Sequence, residues 1–383
     1  MSVTAPRGFR AAGVAAGLKA SGNPDVALVV NDGPLSAAAA VFTSNRIEAA
    51  PVTWSRQVVS DGRVVAVVLN SGGANACTGA DGFADTHRTA EHVAALLEVS
   101  AADVVVCSTG LIGERLPMEK LLAGADAASS ALHVDGGADA AEAIRTTDTV
   151  SKVAVAARAG WSVGGMAKGA GMLAPGLATM LVVLTTDAVA TPGDLDGALR
   201  DATRLTFDRV DSDGCMSTND TVVLLASGAS GVTPDRAEVA DAVHEVCAAL
   251  ARQLIADAEG AGKDIRIDVI NAASEDDALE VARAVSRSNL LKCALHGEDP
   301  NWGRVLAAAG TTKAAFAPDA IDVAINGVWV CKGGGVGEDR AGVDLSGRDV
   351  AITVDLHVGA PSAWIWTNDL TAAYVHEHTA YST

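Results

Sequence analysis

Short apolar runs alternate with longer amphipathic stretches along most of this 383-residue chain. Runs of apolar residues with many β-branched side chains are typical of buried strands, and they occupy 27–30, 38–42, 64–69, 104–107, 153–157 and 180–184. The last run, MLVVL, is the strongest strand signal in the chain. The stretches 84–97 and 119–132 have helical spacing instead, so the first half of the chain predicts strands and helices in alternation.

Two further helices are predicted from their first residues. Thr191-Pro192 and Thr233-Pro234 each place a capping hydroxyl directly before a proline, which is favoured at the first helical position. After the second pair, apolar residues recur on one helical face, at positions 239, 243, 246, 250 and 254. Asp241, Glu245 and Arg252 lie on the opposite face. The pattern therefore predicts an amphipathic helix that begins near Thr233.

The last third of the chain is richer in strands. Apolar runs at 321–325, 328–331, 350–356 and 363–366 predict strands, and helices are predicted over 276–291 and from Asp299-Pro300 onward. Strands and helices are interleaved without a regular strand–helix–strand rhythm, and no internal repeat is visible. An α/β fold of the layered α+β kind fits this pattern best.

Composition excludes several classes of protein. Hydrophobic residues make up 49% and charged residues 20% of the chain, which is typical of a globular protein and not of a disordered one. The net charge of −19 argues against binding to nucleic acid or to an anionic membrane through bulk charge. Aromatic residues are only 3%, which also argues against a base-stacking surface. We therefore expect neither nucleic acid nor membrane as a partner.

The cysteines and the apolar runs indicate the cellular compartment of the protein. None of the six cysteines lies within four residues of another, which excludes CxxC-type zinc and redox motifs and indicates ordinary thiols in a reducing compartment. The run 180–184 is far shorter than the roughly 20 residues that span a bilayer, and the N-terminus lacks a convincing signal sequence. The expectation is a cytoplasmic protein.

Common catalytic motifs are missing from the sequence. It has no GxSxG elbow, no phosphate-binding P-loop and no HExxH zinc motif. The Gly-rich stretch 164–171 contains Lys168 but lacks the spacing of a phosphate loop. The histidine pairs His87/His92 and His376/His378 lack metal-ligand spacing on a predicted helix, so they are interpreted as exposed or hydrogen-bonded side chains. No metal site and no organic cofactor are expected.

The segment 164–184, GGMAKGAGMLAPGLATMLVVL, has two interpretations. In the simpler one, a loop rich in Gly and Pro enters a buried strand, and Thr179 is only a β-former. In the other, the Thr179 hydroxyl attacks the carbonyl of Ala178, an N→O acyl shift gives an ester, and water cleaves it. The new N-terminal Thr would then be a nucleophile with its own α-amino group as the base. Pattern alone leaves both open.

Several blocks decide between these two interpretations. The segment KGAGMLAPGLATML (168–181) resembles the self-processing junction of the glutamate N-acetyltransferase family, the ornithine acetyltransferases of arginine biosynthesis. Six further blocks resemble this family in the same order: NSGGANACTG (70–79), CSTGLIGE (107–114), TTDT (146–149), STNDT (217–221), DAEGAGK (257–263) and HGEDPNWGR (296–304). The resemblance covers nearly the whole chain. It implies the family's fold, with sheets sandwiched by helices.

The resemblance also implies catalytic roles. The chain would be cut between Ala178 and Thr179 into an α chain, 1–178, and a β chain, 179–383, which together form one intertwined catalytic unit. Thr179 would be the nucleophile. Thr109 and Gly110 would form the oxyanion hole, a role suited to a hydroxyl and a backbone N–H that both donate to a developing negative charge.

The resemblance also implies which residues contact the substrate. They are Thr146, Lys168, Thr179, Glu259, His378 and Thr383. Lys168 suits the α-carboxylate of an amino acid, and Glu259 suits an amino group. His378 departs from the family, which usually has Asn at this position, five residues before its C-terminal Ser or Thr. Histidine can replace one hydrogen bond of Asn, but it is bulkier and can ionise.

The reaction implied is acetyl transfer from N2-acetyl-L-ornithine to L-glutamate in the cyclic arginine pathway, by a ping-pong mechanism through acetyl-Thr179. The implied enzyme is a glutamate N-acetyltransferase, assembled as an α2β2 heterotetramer of its own fragments. Some family members also use acetyl-CoA and are then bifunctional amino-acid N-acetyltransferases. The sequence leaves this open, along with the choice between an arginine-pathway enzyme and a secondary-metabolism paralogue.

Two alternatives are kept. A self-processing aminopeptidase or amidase would share Thr179 and the oxyanion hole but would pass the acyl group to water. A non-enzymatic protein that binds a small ligand or regulates others would use the Gly-rich segment as a binding loop and would remain one intact chain. An acetylornithine assay with and without glutamate separates the first alternative from a transferase.

Overall fold

The apolar runs pair into three sheets within residues 2–174 and 180–380, the part of the chain that the computed structural model describes. Contacts divide the chain into two units. The first unit runs to Asp208 and includes Met216–Leu254. The second contains Arg209–Cys215 and the residues from Ile255 onward. This is a division by contacts, distinct from the fragments 1–178 and 179–383 that the resemblance implies.

The first unit contains two sheets. Its strands are β1 (Phe9–Val14), β2 (Val26–Asn31), β3 (Ala37–Phe42), β4 (Ala66–Ser71), β5 (Val104–Thr109), β6 (Lys152–Ala157), β7 (Ser162–Lys168), β8 (Leu181–Thr186) and β9 (Thr221–Ala226). One sheet has the order β1-β2-β4-β5, and the other has the order β3-β9-β8-β7-β6. Neighbours in both sheets are antiparallel except the parallel pairs β4/β5 and β8/β9.

Helices pack against these two sheets. They are α1 (Ala50–Val58), α2 (Gly79–Leu97), α3 (Met118–Ser130), α4 (Gly137–Ala143), α5 (Pro192–Leu205) and α6 (Arg236–Ala256). Alternate residues of each strand point to opposite faces. One face of the first sheet shares a core with the second sheet, as Val67 and Val183 illustrate. The other face packs on α2 and α3. Helix, sheet, sheet and helix thus form successive layers, as expected.

The second unit has one mixed sheet. Its elements are β10 (Asp264–Ile270), α7 (Glu275–Ser286), α8 (Asn289–His296), α9 (Trp302–Ala309), β11 (Asp322–Ile325), β12 (Val328–Lys332), β13 (Gly335–Val336), β14 (Asp349–Asp355), β15 (Ala363–Asn368) and α10 (Ala372–Ala380). The strand order is β13-β12-β11-β14-β10-β15. Apolar residues of α7, α8 and α9 pack on one face of this sheet.

Most predicted strands and helices are present, with ends shifted by a few residues. Thr191 caps α5 as predicted, since its hydroxyl accepts the N–H of Asp194 at 3.2 Å. The predicted apolar face of α6 is buried throughout. The mixed α/β class predicted from the sequence is therefore confirmed.

Three predicted helices begin or end elsewhere. Helix α6 begins after Thr233-Pro234, because Asp235 and Glu238 cap each other's backbone N–H groups at 2.8 and 3.1 Å. The helix predicted over 276–291 is two helices, since Ser288 caps the N-terminus of α8. Helix α9 begins at Trp302, two residues after Pro300.

The loop interpretation of the Gly-rich stretch 164–171 is wrong for residues 164–168, whereas residues 169–171 lie outside any strand. Residues 162–168 form strand β7, and its glycines allow close packing. A Cβ at Gly164 would lie 2.3 Å from the carbonyl oxygen of Ser2, and one at Gly165 would lie 2.9 Å from Val246 Cγ1 on helix α6. The glycines therefore serve interlayer packing, which the pattern alone does not distinguish from loop flexibility.

Candidate active site

Strand β8 begins two residues after the predicted nucleophile, in the middle of the second sheet. Lys168 on β7 and Thr221 on β9 both pair with Leu181, the first residue of β8. Met180 is held at both ends: its carbonyl accepts the N–H of Thr221 at 3.2 Å, and its N–H donates to Asp220 Oδ1 at 3.1 Å. Ala178 and Thr179 themselves lie outside the described residues, as does Thr383.

The predicted oxyanion residues lie in a turn at the end of β5. The ladder between β4 and β5 ends at Ser71 and Thr109, so Gly110 lies just beyond it. The Thr109 carbonyl accepts the N–H groups of Gly72 and Gly73, both at 3.0 Å. Gly110 has a φ of +131°, and a Cβ there would lie 2.5 Å from Gly73 N. Only glycine fits this position without moving backbone.

Lys168 contacts this turn directly. Its Nζ donates to Thr109 Oγ1 at 3.1 Å, and both residues are buried, with 1% and 3% of their surface exposed. An ammonium group can only donate, so it uses an acceptor site of the hydroxyl and leaves the Thr109 proton available for another acceptor. A buried hydroxyl donor beside a buried cation is an arrangement suited to stabilising a developing oxyanion.

A carboxylate that the sequence prediction did not identify holds this cluster together. Asp148 Oδ1 accepts from Gly169 N at 2.7 Å and from Lys152 Nζ at 2.6 Å, and Asp148 Oδ2 accepts the backbone N–H of Thr146 at 3.0 Å. Burial opposes ionisation of Asp148, but the charges of Lys168 and Lys152 outweigh it and lower its pKa to about 2. Asp148 thereby links two predicted substrate contacts, Thr146 and Lys168.

Other missed residues hold the turn that carries Thr109. Asn70 accepts from the Ser108 hydroxyl at 2.6 Å and donates to the Gly73 carbonyl at 3.1 Å. Asn219 donates to the Ser108 and Ala74 carbonyls at 2.8 and 2.6 Å. Like Asp148, all of these residues belong to the quoted sequence blocks. The blocks therefore contained the signal, although pattern alone assigned these side chains no role.

Two further predicted substrate contacts, Glu259 and His378, belong to the second unit. Glu259 Oε2 lies 2.8 Å from His378 Nε2, and the His378 ring lies 4.4 Å from the Tyr374 ring. Glu259 is nearly buried, whereas 38% of the His378 side chain is exposed. Glu259 and Tyr374 line a small cavity of about 60 Å³, together with Asp213, Lys292 and Asp369. The side chains around this cavity carry charges of both signs.

Asp369 connects two sequence blocks of the second unit. Its Oδ1 accepts the N–H groups of Gly262 and Lys263, both at 2.8 Å, and its Oδ2 lies 2.9 Å from His296 Nδ1. Burial lowers the pKa of Lys292, against the charges of Asp213 and nearby carboxylates. These contacts fix the backbone on both sides of the cavity.

Metal-binding groups, membrane-spanning helices, the thiol of Cys107 and two further cavities are considered in turn for the described part of the chain. Within it, no group of three His, Cys, Asp or Glu side chains is placed to hold a metal ion, and no helix is both long and apolar enough to cross a membrane. Burial raises the pKa of Cys107 to about 12, so the thiol that precedes the oxyanion turn is a poor nucleophile. Two cavities of about 430 and 440 Å³ lie beside α5, and neither is lined by Thr109 or Lys168.

Known proteins are similar to this chain over its full length. The sequence profile of the ArgJ family matches residues 10–383. The chain belongs to the ArgJ family. It is 68% identical to the arginine biosynthesis bifunctional protein ArgJ of Thermobifida fusca, and the match covers all of both chains. It is 67% identical over 382 residues to the protein of the same name from Streptomyces coelicolor, again over the full length of both.

A solved structure is also similar in sequence. Ornithine acetyltransferase from Mycobacterium tuberculosis, crystallised with ornithine, is 60% identical over 47% of this chain and 96% of that chain, with a TM-score of 0.45. The family match and the two full-length relatives confirm the predicted family. They also confirm that the chain is an acyltransferase of this family. The roles of individual residues remain predictions.

Proposed function

We propose that this ArgJ-family chain transfers the acetyl group of N2-acetyl-L-ornithine to L-glutamate, by way of an acetyl ester on Thr179. The observation that carries the proposal is the hydrogen bond from Lys168 to Thr109 beside the start of β8. It joins residues 59 positions apart, to which the family resemblance assigns two different roles, substrate binding and the oxyanion hole. Relatives named for arginine biosynthesis support the choice of substrates.

The first step we propose is self-cleavage. The Thr179 hydroxyl attacks the carbonyl carbon of Ala178, and the C–N bond between the two residues breaks as the ester forms. The freed nitrogen takes a proton and becomes the α-amino group of Thr179. Water then hydrolyses the ester, which restores the hydroxyl and gives chains 1–178 and 179–383.

The transfer follows the same chemistry on a substrate. Thr179 Oγ attacks the acetyl carbonyl, while its α-amino group accepts the hydroxyl proton. The oxyanion receives hydrogen bonds from the Thr109 hydroxyl and the Gly110 N–H. The bond to nitrogen breaks, the proton passes to that nitrogen, and ornithine leaves. The glutamate amine then attacks the ester, and the proton returns to Thr179 Oγ as N-acetylglutamate leaves.

Recognition in this proposal rests on a few local charges. Lys168 binds the α-carboxylate that both amino acids share, with Thr146 beside it. Glu259, His378 and Thr383 are the further substrate contacts that family membership implies. An α2β2 assembly, a cytoplasmic location and the use of acetyl-CoA as a second donor belong to the proposal on the same ground of family membership.

The self-cleavage is tested by intact mass under denaturing conditions. The 38.5 kDa chain should give fragments of about 18 and 21 kDa, the larger beginning with Thr179. Thr179→Ala should remain whole and inactive, because no hydroxyl is left to attack. Thr185→Ala is a matched control on the same strand, and it should be cut normally. Cut and active Thr179→Ala would contradict the assignment of the nucleophile.

The acceptor is tested separately with N-acetylornithine, in the presence and absence of glutamate. A transferase should release ornithine in step with N-acetylglutamate and should turn over slowly without an acceptor. An unchanged rate of ornithine release without glutamate would instead identify an amidase with the same nucleophile. A whole chain without transfer would contradict both the self-cleavage and the acetyl transfer proposed here.

A further inference from the structure

The segment STNDT (217–221) has no role in the proposed function, although it lies at the centre of the first unit. Residues 217–220 directly precede strand β9, and Thr221 is its first residue. Strand β9 runs parallel to β8. All five residues of the segment are polar and buried, and the adjacent residues Asn219 and Asp220 have 5% and 0% of their surface exposed. Burying polar side chains is costly unless they are hydrogen-bonded, so the partners of Asn219 and Asp220 indicate what these two side chains do.

Asn219 reaches the oxyanion turn. Its amide group donates to the Ser108 carbonyl at 2.8 Å and to the Ala74 carbonyl at 2.6 Å. Ser108 directly precedes Thr109, and Ala74 follows the glycines that pack against Gly110. One side chain of the second sheet thereby holds both backbone segments of the turn that ends the first sheet.

Asp220 contacts the backbone next to the proposed nucleophile, Thr179. Its Oδ1 accepts the N–H of Met180 at 3.1 Å, which is the peptide N–H that immediately follows Thr179. The next ladder bond, from Thr221 N to the Met180 carbonyl, is made by the backbone at 3.2 Å. The carboxyl group of Asp220 thus extends the β8/β9 ladder by one residue toward Thr179.

We propose that Asn219 and Asp220 are positioning residues that fix the oxyanion turn and the peptide after Thr179 relative to one another. Asn219 and Asp220 are adjacent in the chain, so their Cα atoms lie about 3.8 Å apart. The turn that Asn219 holds and the peptide that Asp220 holds are therefore anchored to the same short piece of backbone. The inference rests on the proposed function, because it matters only if Thr179 attacks beside Thr109 and Gly110. It assigns the two residues no contact with substrate.

The chemical state of Asp220 fits this role. Burial raises its pKa well above the usual value, although the Met180 N–H and the charge of Lys168 favour the ionised form. A neutral carboxyl keeps an acceptor oxygen for Met180, and asparagine supplies the same oxygen. We therefore expect Asp220→Asn to retain the positioning function and Asp220→Ala to lose it.

The test is the rate at which newly made full-length chain is cut, followed by intact mass during cell-free synthesis. Asp220→Ala should be cut at least tenfold more slowly than wild type, and Asp220→Asn should recover a rate within about threefold of it. Asp187→Ala is the matched control. Asp187 is a buried carboxylate just beyond the other end of β8, where it accepts the N–H groups of Ser162 and Arg7 at 2.8 and 3.2 Å. We expect it to be cut at the wild-type rate.

Asn219 is tested on the acetyl transfer of cut enzyme. Asn219→Ala should lower kcat about tenfold or more, with KM for N-acetylornithine changed less than threefold, because the turn and not the substrate loses its support. A KM effect without a kcat effect would overturn its role. The unfolding midpoint of each variant is measured alongside these rates.

The outcomes separate this inference from the proposed function. Wild-type cleavage at Thr179 together with a normal Asp220→Ala rate would overturn the positioning role and leave the self-cleavage intact. Equal slowing of Asp187→Ala and Asp220→Ala would also overturn it, because loosening of β8 in general would explain both. A wild-type chain that remains whole would overturn the self-cleavage, and the positioning role with it.

Discussion

The two clusters of predicted site residues differ in how their charges are held. In the first unit, Asp148, Lys152 and Lys168 are buried, with at most 4% of their surface exposed, and backbone N–H groups complete their contacts. In the second unit, Glu259 faces His378, whose side chain is 38% exposed. Removing a buried partner leaves a charge without compensation, whereas water can replace an exposed partner. The first cluster is therefore suited to fixed catalytic geometry and the second to adaptable recognition.

The largest effect is expected at the oxyanion turn. Gly110→Ala should lower kcat by on the order of 10²-fold or more, because the added Cβ collides with Gly73 N and displaces the donor. Gly113→Ala is the matched control, since Gly113 also has a positive φ, of +90°, but a Cβ there would meet no atom within 4 Å. We expect its kcat to stay close to wild type. Equal kcat values for the two variants would remove Gly110 from the oxyanion hole.

A smaller but still large effect on stability is expected for Asp148→Asn. The free energy of unfolding at pH 7 should fall by about 3 kcal/mol, because Lys152 and Lys168 lose a buried counter-charge. The exposed pair of Arg10 and Asp32 is the control, and Asp32→Asn should cost less than about 1 kcal/mol. Urea unfolding of both variants measures the difference. Similar values for the two would mean that burial does not distinguish the clusters.

The same carboxylate sets a pH dependence. The pKa of Asp148 is depressed from 3.8 to about 2, so its contribution to stability is fully present above pH 3.8 and is lost as the pH falls through about 2. The difference in unfolding free energy between wild type and Asp148→Asn should therefore shrink between pH 4 and pH 2. A difference that stays constant down to pH 2 would contradict this charge pairing.

The smallest effects are expected in the second unit. Glu259→Gln should raise KM for N-acetylornithine about tenfold, the amount expected for one charged hydrogen bond, and should change kcat little. His378→Asn should change KM less than threefold, because the amide replaces one hydrogen bond of the exposed ring. Steady-state kinetics of the cut enzymes measures both. A kcat loss at Glu259 as large as that at Gly110 would erase the contrast between the clusters.

Local pattern was enough to predict most of the fold. Strands such as β2 and β8 are apolar on both faces, and a run of β-branched residues marks them whatever their partners are. Pattern failed where tertiary contacts decide the structure. The pattern favours a loop where strand β7 forms, because its glycines serve packing against Ser2 and Val246, which the local sequence does not reveal. The break between α7 and α8 depends on a single cap at Ser288.

The candidate site divides in the same way. Thr109 and Lys168 were predicted from family blocks, and the structure brings them within hydrogen-bond distance. Asp148, Asn219 and Asp220 lie within the family blocks, but the sequence predicts no role for their side chains. Their function depends on partners far away in the chain, such as Ser108, which lies 111 residues from Asn219. Pattern and spacing describe neighbours along the sequence, so such partners become visible only in the folded structure.

The most direct test of the account is to trap the acyl-enzyme. Cut wild-type enzyme is mixed with N-acetylornithine without glutamate, quenched in acid and analysed by intact mass. We predict that the fragment beginning with Thr179 gains the mass of one acetyl group, and that glutamate added before the quench removes it as N-acetylglutamate forms. Acetyl transfer at full rate without any acetylated fragment, or with the acetyl group on the fragment 1–178, would contradict the account.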